Sequence, residues 1–164
     1  MAARWSVISG VGTAGAVGRL LAALQRQGVD AHAFDPDQTP LSALENAGFD
    51  RAFIALHGRP GEDGALQQQL DKLGLPYNGS RARSAQITID KYQTNQLLRQ
   101  HGFSIATQML VHQADYLKDP DALCETIASQ FHYPLIAKPV DDGCSSAVKK
   151  IDTPEQLQAF ARLI

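Results

Sequence analysis

Residues 4–34 read RWSVISGVGTAGAVGRLLAALQRQGVDAHAF. Arg4–Ser9 is typical of a strand, and it runs into glycine-rich sequence. From Val17 the apolar residues recur at the i, i+3, i+4, i+7 spacing of an amphipathic helix, and Gly28 stands where such a helix ends. A second strand is predicted over Asp30–Phe34. A strand, a glycine-rich turn, a helix and another strand form a βαβ unit, which predicts a parallel sheet.

The same alternation continues toward the middle of the chain. The pattern predicts a short helix over Pro40–Asn46, a third strand over Arg51–Leu56 and a helix over Ala65–Leu73. The third strand is apolar enough to be buried on both faces, so we expect the sheet to be ordered around it. The fold class is therefore α/β, with a parallel, Rossmann-like domain over residues 1–83.

The second half of the sequence changes character. The predicted elements are a helix over Ser84–Gln100, a strand over Ala106–Val111, a helix that starts at Asp119-Pro120-Asp121, an antiparallel hairpin of Leu135–Ala137 and Ala147–Ile151, and a helix capped by Thr153. They make a smaller α+β lobe over residues 84–164. Its last helix runs into Ile164 with neither a glycine nor a proline to end it, so we expect the chain to stop inside a larger domain.

The amino-acid composition disfavours some classes of binding partner. The 164 residues are 44% apolar and 20% charged, with a net charge of −2, which is typical of a soluble protein. Without a strong basic field, nucleic-acid and membrane partners are disfavoured. Apolar runs fall far below the ~20 residues of a membrane helix, and no signal peptide is recognisable, so we expect a cytoplasmic protein. Cys124 and Cys144 form no CxxC, and the histidines lack metal-binding spacing, so neither a disulfide framework nor a zinc site is expected.

A glycine motif lies between the first strand and the first helix. Gly10–Gly15 reads GVGTAG, and Asp35 follows 20 positions after its last glycine. This spacing is typical of dinucleotide-binding proteins, in which the glycines admit the pyrophosphate and the acid binds ribose hydroxyls. The alternative is an ordinary tight turn, in which small residues let helix and strand pack closely.

Two further loops carry polar groups directly after predicted strands. His57–Gly64 reads HGRPGEDG and follows the third strand, at the edge of a parallel sheet where ligands bind. Lys138 precedes Asp141–Ser146, and a lysine beside a glycine-serine loop can hold nucleotide phosphates. The alternatives are a polar strand end at His57, acids that stabilise the next helix, and a surface lysine beside a hairpin turn.

Four stretches resemble the D-alanine–D-alanine ligase family, in that family's order and spacing. They are FIALHGRPGEDG at 53–64, LPYNGS at 75–80, DK at 90–91, and IAKP with GCSS at 136–146. The His-Gly-x-x-Gly-Glu-Asp-Gly pattern is highly specific, and the other pieces support it by position. The resemblance covers essentially the whole chain. It implies a pre-ATP-grasp domain followed by part of an ATP-grasp lobe.

The resemblance also implies an activity. Members of the family join two D-alanine molecules through an acyl-phosphate, with ATP and magnesium, to supply a precursor of peptidoglycan. His57 and Glu62 match positions near the first amino-acid substrate, so they are implied catalytic residues together with Ser145. Lys91 and Lys138 match two lysines that contact ATP phosphates. The flexible loop over the triphosphate is matched by Gly143, Cys144, Ser145 and Ser146.

The sequence departs from the family pattern in two places, the glycine loop and the glycine-serine loop. Ala14 and Ala16 stand where the family's glycine loop carries a glutamate, and Cys144 replaces a serine. A divergent ATP-grasp ligase with another substrate, and a non-catalytic module that binds a nucleotide at Gly10–Gly15 or a partner subunit, therefore stay open. The adenine site and the metal ligands are expected outside residues 1–164, so we expect this chain alone to be inactive. The expected partners are a D-alanine-like small molecule and a second copy in a homodimer.

Overall fold

A computed structural model describes residues 3–10, 14–142 and 147–161. The chain divides into two compact units, Met1–Asp90 and Lys91–Ile164. None of the described helices has both the length and the apolarity that crossing a membrane requires.

The first unit is built on a three-stranded parallel sheet. Its elements are β1 (Arg4–Ile8), α1 (Ala14–Arg26), β2 (Asp30–Phe34), a 3-10 helix (Leu41–Leu44), β3 (Arg51–Ile54), α2 (Ala65–Lys72) and α3 (Ala82–Ile89). The strand order is β2-β1-β3, and both pairings are parallel. The predicted α/β class is confirmed. The expectation that the third strand organises the sheet is wrong, because β1 is the middle strand and its last three residues, Ser6, Val7 and Ile8, are fully buried.

Helices cover both faces of this sheet. Successive strand side chains point to opposite faces, so Val7 and Ile8 enter different clusters. Val7 packs with Val17 of α1, whereas Ile8 packs with Leu66 and Leu70 of α2. Burial on both sides explains why the adjacent residues Val7 and Ile8 of β1 are both apolar.

The outer edge of β3 is paired with a short extended segment. The Ala52 backbone N–H donates to the Pro76 carbonyl at 2.8 Å, and Ala52 forms a parallel bridge with Tyr77. At the next paired position the partner is a side chain, because the Ile54 N–H donates to Asn78 Oδ1 at 2.6 Å. Asn78 Nδ2 returns a longer bond to the Ile54 carbonyl at 3.4 Å.

The second unit combines helices with a two-stranded hairpin. Its elements are α4 (Lys91–Gln100), α5 (Gln113–Lys118), α6 (Pro120–Gln130), β4 (Leu135–Ala137), β5 (Lys149–Ile151) and α7 (Pro154–Ala161). The predicted antiparallel hairpin is confirmed, with Leu135 opposite Ile151. One face of the hairpin packs on α6 and α7 through the buried residues Cys124, Ile151 and Leu157.

Two sequence predictions in this region are wrong. The helix expected over Ser84–Gln100 is two helices, because Asp90 is extended (φ −86°, ψ 104°) and the Lys91 N–H donates to the distant Val140 carbonyl at 2.9 Å. The strand expected over Ala106–Val111 has no strand partner among the described residues and forms no strand. Side chains tie it to α4 instead, with Gln108 bonded to Asn95 at 2.7 Å.

Candidate functional site

The loop at 57–64 leaves the carboxyl end of β3 and closes on itself. The Gly58 N–H donates to Glu62 Oε2 at 2.8 Å, and the Glu62 N–H donates to the Gly58 carbonyl at 2.8 Å. These reciprocal bonds fix the Glu62 carboxylate against the start of the loop. Gly58 has a positive φ of 68°, a conformation in which glycine is strongly favoured.

Glu62 and His57 face one another across this loop. His57 Nδ1 lies 3.7 Å from Glu62 Oε1, which is an ion-pair distance when the imidazole is protonated. The His57 side chain is 72% exposed and that of Glu62 43% exposed, so both groups can meet a solute. A separation of 3.7 Å is longer than a hydrogen bond, so the contact attracts a protonated imidazole to the carboxylate without fixing the ring. The structure therefore brings together two of the three residues predicted to be catalytic.

The remaining charges of the loop stabilise it. Asp63 Oδ1 accepts the Ala65 N–H at 3.0 Å at the start of α2, and Asp63 Oδ2 lies 3.2 Å from Arg59 Nη1. Gly61 and Gly64 are both buried, and a Cβ on either would overlap a backbone carbonyl, that of Leu56 or that of Ala82. The glycines of the motif are thus required by close packing around the site.

One buried polar residue next to the loop was missed by the sequence analysis. Gln67 of α2 is only 6% exposed, and its Nε2 donates to the Gly61 carbonyl at 2.7 Å. The available signal was its helical position, three residues before the buried Leu70, where an apolar side chain is the ordinary choice.

In the second unit, the hydrogen bonds described for the Lys91 side chain go to backbone carbonyls. It is the first residue of α4, and its Nζ donates to the Asp142 carbonyl at 2.6 Å and to the Val140 carbonyl at 3.3 Å. Lys138 is exposed directly after β4. Gly143, Cys144, Ser145 and Ser146 lie outside the described residues.

The glycine motif of the first unit borders a cavity. The cavity measures about 510 Å³ and is lined by Gly10, Gly18 and Asp35 among others. Asp35 is already engaged by its own turn, because its Oδ1 accepts the Asp37 N–H at 3.0 Å and its Oδ2 accepts from Gln38 Nε2 at 2.9 Å. Residues 11–13 of the motif lie outside the described residues.

Among the titratable groups that the structure describes, Tyr77, Tyr133 and Glu155 have displaced pKa values. Burial raises the pKa of Tyr77, and its hydrogen bond to Asp71 raises it further. Burial also raises the pKa of Tyr133. The hydrogen bond from Thr153 lowers the pKa of Glu155 at the start of α7.

A metal centre does not emerge from the described residues. Over 3–10, 14–142 and 147–161 no three His, Cys, Asp or Glu side chains are grouped so that they could hold an ion. The described residues therefore offer no such cluster for the magnesium that the resemblance implies.

Two family models match most of the chain. Residues 13–80 match the D-ala D-ala ligase N-terminus, and residues 97–164 match the D-ala D-ala ligase C-terminus.

Curated relatives carry the same description. The chain is 41% identical over 141 residues to a D-alanine–D-alanine ligase of Cupriavidus metallidurans, which covers 85% of this chain and 41% of the relative. It is 39% identical over 155 residues to D-alanine–D-alanine ligase B of Chromobacterium violaceum, covering 94% of this chain and 46% of that protein. The chain therefore spans less than half the length of these relatives.

Solved structures agree on the fold. A D-alanine–D-alanine ligase of Bacillus anthracis matches with a TM-score of 0.76 and 26% identity, covering 99% of this chain and 53% of that one. The same enzyme complexed with ATP matches with a TM-score of 0.71 at the same identity and the same two coverages.

Proposed function

The chain belongs to the D-alanine–D-alanine ligase family, and on that premise we propose that it supplies the amino-terminal part of an ATP-dependent ligase that joins two D-alanine molecules. In the proposed reaction the carboxylate of one D-alanine attacks the γ-phosphate of ATP and releases ADP. The amine of the second D-alanine then attacks the acyl-phosphate carbonyl carbon and releases inorganic phosphate. The dipeptide would serve peptidoglycan synthesis in the cytoplasm, with magnesium bound by residues beyond this chain.

The observation that carries the proposal is the His57–Glu62 pair. The pair stands at the carboxyl end of a parallel strand, in a loop whose bonds hold the carboxylate in place. Such an edge is where α/β proteins bind small ligands. We assign both residues to the first amino-acid substrate, with Glu62 attracting the protonated His57 imidazole.

Two lysines of the second unit are proposed to bind the phosphates of ATP. Phosphoryl transfer depends on cations that neutralise the charge developing on the phosphate oxygens. An ammonium has three N–H donors, and two of those of Lys91 have backbone acceptors among the described residues. The third can meet a phosphate oxygen at the start of α4, where the helix dipole also favours an anion. Lys138 is exposed at the end of β4, and we assign Gly143, Cys144, Ser145 and Ser146 to the same phosphates, with Ser145 as the catalytic hydroxyl.

The test is ATP-dependent phosphate release with D-alanine, measured on a form of the protein that spans the full length of its relatives. Lys138→Met keeps much of the bulk of the side chain and removes its charge. Losing one charge-assisted contact, about 1.5–3 kcal/mol, should raise the KM for ATP or lower the turnover at least tenfold. Lys118→Met removes an equally exposed lysine at the end of α5 and should leave both values unchanged. Equal activities of the two variants would exclude the phosphate role.

Substrate identity is tested in the same assay. D-alanine should support phosphate release and L-alanine should not. Release with another amino acid and none with D-alanine would favour the divergent ligase. For the 164-residue chain alone we expect no turnover, and this is measured in parallel.

The second candidate function is a nucleotide-binding module, and the cavity beside Gly10 is the observation that favours it. It predicts that NAD or ADP binds the 164-residue chain and shifts the amide resonances of Gly18 and Ala33. We rank it second, because the Asp35 carboxylate is engaged by Asp37 and Gln38. We also propose domain limits of 1–83 and 84–164, and a homodimeric state.

A further inference from the structure

Gln67 is a buried polar side chain that the proposed reaction does not use. It lies on the buried side of α2 beside Leu66 and Leu70, which are fully buried. A glutamine at such a position is unfavourable unless its amide is hydrogen-bonded. The contacts of the two ends of that amide therefore indicate what the side chain does.

Within the part of the chain that the structure describes, only the Nε2 end of the Gln67 amide has a hydrogen-bond partner. Nε2 donates to the Gly61 carbonyl at 2.7 Å, in a fully buried bond. Oε1 is also buried and has no hydrogen-bond partner among the described residues. Turning the amide over would place two oxygens against each other, so the acceptor at Gly61 fixes the orientation. Because a buried acceptor without a partner is unfavourable, the favourable contribution of this side chain comes from its Nε2 bond to Gly61.

The Gly61 carbonyl is the atom through which Gln67 contacts the 57–64 loop. On its other side, the Gly61 backbone lies so close to Leu56 that a Cβ would overlap both its Cβ and its carbonyl. Gly61 is therefore held between Leu56 and Gln67. The next residue is Glu62, whose carboxylate accepts the Gly58 N–H and faces His57.

We propose that Gln67 is a positioning residue, which holds the Gly61 carbonyl and thereby fixes Glu62 beside His57. The importance of that pair for catalysis rests on the proposed function, whereas the effect of Gln67 on the loop does not. Gln67 touches neither a substrate nor a reacting atom, so its influence passes through the backbone of one residue.

The test is made on the 164-residue chain without substrate, so that the outcome is independent of ligase activity. Gln67→Met has a similar length, loses the donor and also removes the unpaired oxygen. These two effects oppose each other, so the urea midpoint should shift little. Gln69→Met makes the same exchange at an exposed position of the same helix and is the matched control. Gly58 amide exchange with solvent, the ¹⁵N shift of His57 Nδ1 and the exchange of the Leu70 amide are followed by NMR.

We expect Gln67→Met to speed exchange at Gly58 at least fivefold and to move the His57 Nδ1 resonance, with Leu70 unchanged. Gln69→Met should change none of the three. If Gly58 and Leu70 accelerate together, the residue is merely structural and the proposal is wrong. It is equally wrong if neither changes. Gln67→Asn keeps the amide but shortens its reach, and it should give the same Gly58 result should the methionine variant not fold.

Discussion

Gly64 offers the sharpest test of how the site loop is packed. It has a φ of +86° at the start of α2, and a Cβ there would overlap the Ala82 carbonyl oxygen of α3 and lie 2.8 Å from Gln86 Cγ. A left-handed conformation costs an L-residue about 1–2 kcal/mol, and forcing a methyl group into filled space costs about 1–3 kcal/mol more. Alanine also stiffens the unfolded chain, which offsets about 0.4–1 kcal/mol. Gly64→Ala should therefore lower the free energy of unfolding by about 1–4.5 kcal/mol, centred near 3, a large share of the ~5–15 kcal/mol of a small domain.

The matched control is Gly74→Ala. Gly74 also has a positive φ, of +65°, but nothing lies within 4 Å of its Cβ position. Only the backbone term applies there, so the loss should stay below about 1.5 kcal/mol. Trp5 is the one tryptophan of the sequence and stands in β1, so its fluorescence during urea unfolding reports the first unit. Equal losses in the two variants would refute the close approach of α3 to Gly64.

Three further predictions use the same unfolding measurements. Burial and Asp71 raise the pKa of Tyr77, so its phenol ionises more readily in the unfolded chain than in the folded one. The stability that Tyr77 contributes is therefore complete below a pH of about 10 and is lost as the pH rises further. Tyr77→Phe should remove this contribution to the alkaline loss of stability, measured by Trp5 fluorescence. Asp119 accepts the Ala122 N–H at 3.0 Å as the cap of α6. Asp119→Ala should therefore lower the free energy of unfolding, followed by helical circular dichroism, by about 0.5–2 kcal/mol, and an unchanged free energy would contradict the cap. Leu157 is 6% exposed between α6 and the hairpin, so Leu157→Ala should cost about 2–5 kcal/mol in the second unit and leave the Trp5 transition in place.

The first unit could be predicted from sequence because its signals are local. Apolar runs broken by glycine gave β2 its observed bounds, Asp30–Phe34. The helical pattern recognised from Val17 lies within α1, but the observed helix begins three residues earlier, at Ala14. The order of strands depends on contacts between distant residues, and apolar content alone did not reveal that β1 lies between β2 and β3. Helix periodicity likewise could not show the break at Asp90, because the competing acceptor is the Val140 carbonyl some fifty residues away.

The candidate site was predictable in part. The residues of the 57–64 loop were identified through the family motif, and in the structure His57 Nδ1 lies 3.7 Å from Glu62 Oε1. The sequence did not indicate that Lys91 binds the backbone carbonyls of residues 140 and 142, because no pattern around a lysine identifies its hydrogen-bond acceptors. Gln67 escaped notice because one polar residue on an apolar helix face is a weak signal until its partner, the Gly61 carbonyl, is known. The roles of Lys138 and of Ser145 stay predictions.

The amide of Asn78 has a consequence for how molecules of this protein behave in a crowded solution. A bare sheet edge offers N–H and C=O groups to the strand of any neighbour, and such pairing starts aggregation. Here the Pro76 carbonyl and the Asn78 side chain occupy the outward groups of Ala52 and Ile54. A further strand cannot pair with a side-chain amide as it pairs with a backbone, so no strand is added to the sheet at this residue. Asn78→Ala would reopen the edge at Ile54, and its signature would be concentration-dependent light scattering before any loss of secondary structure.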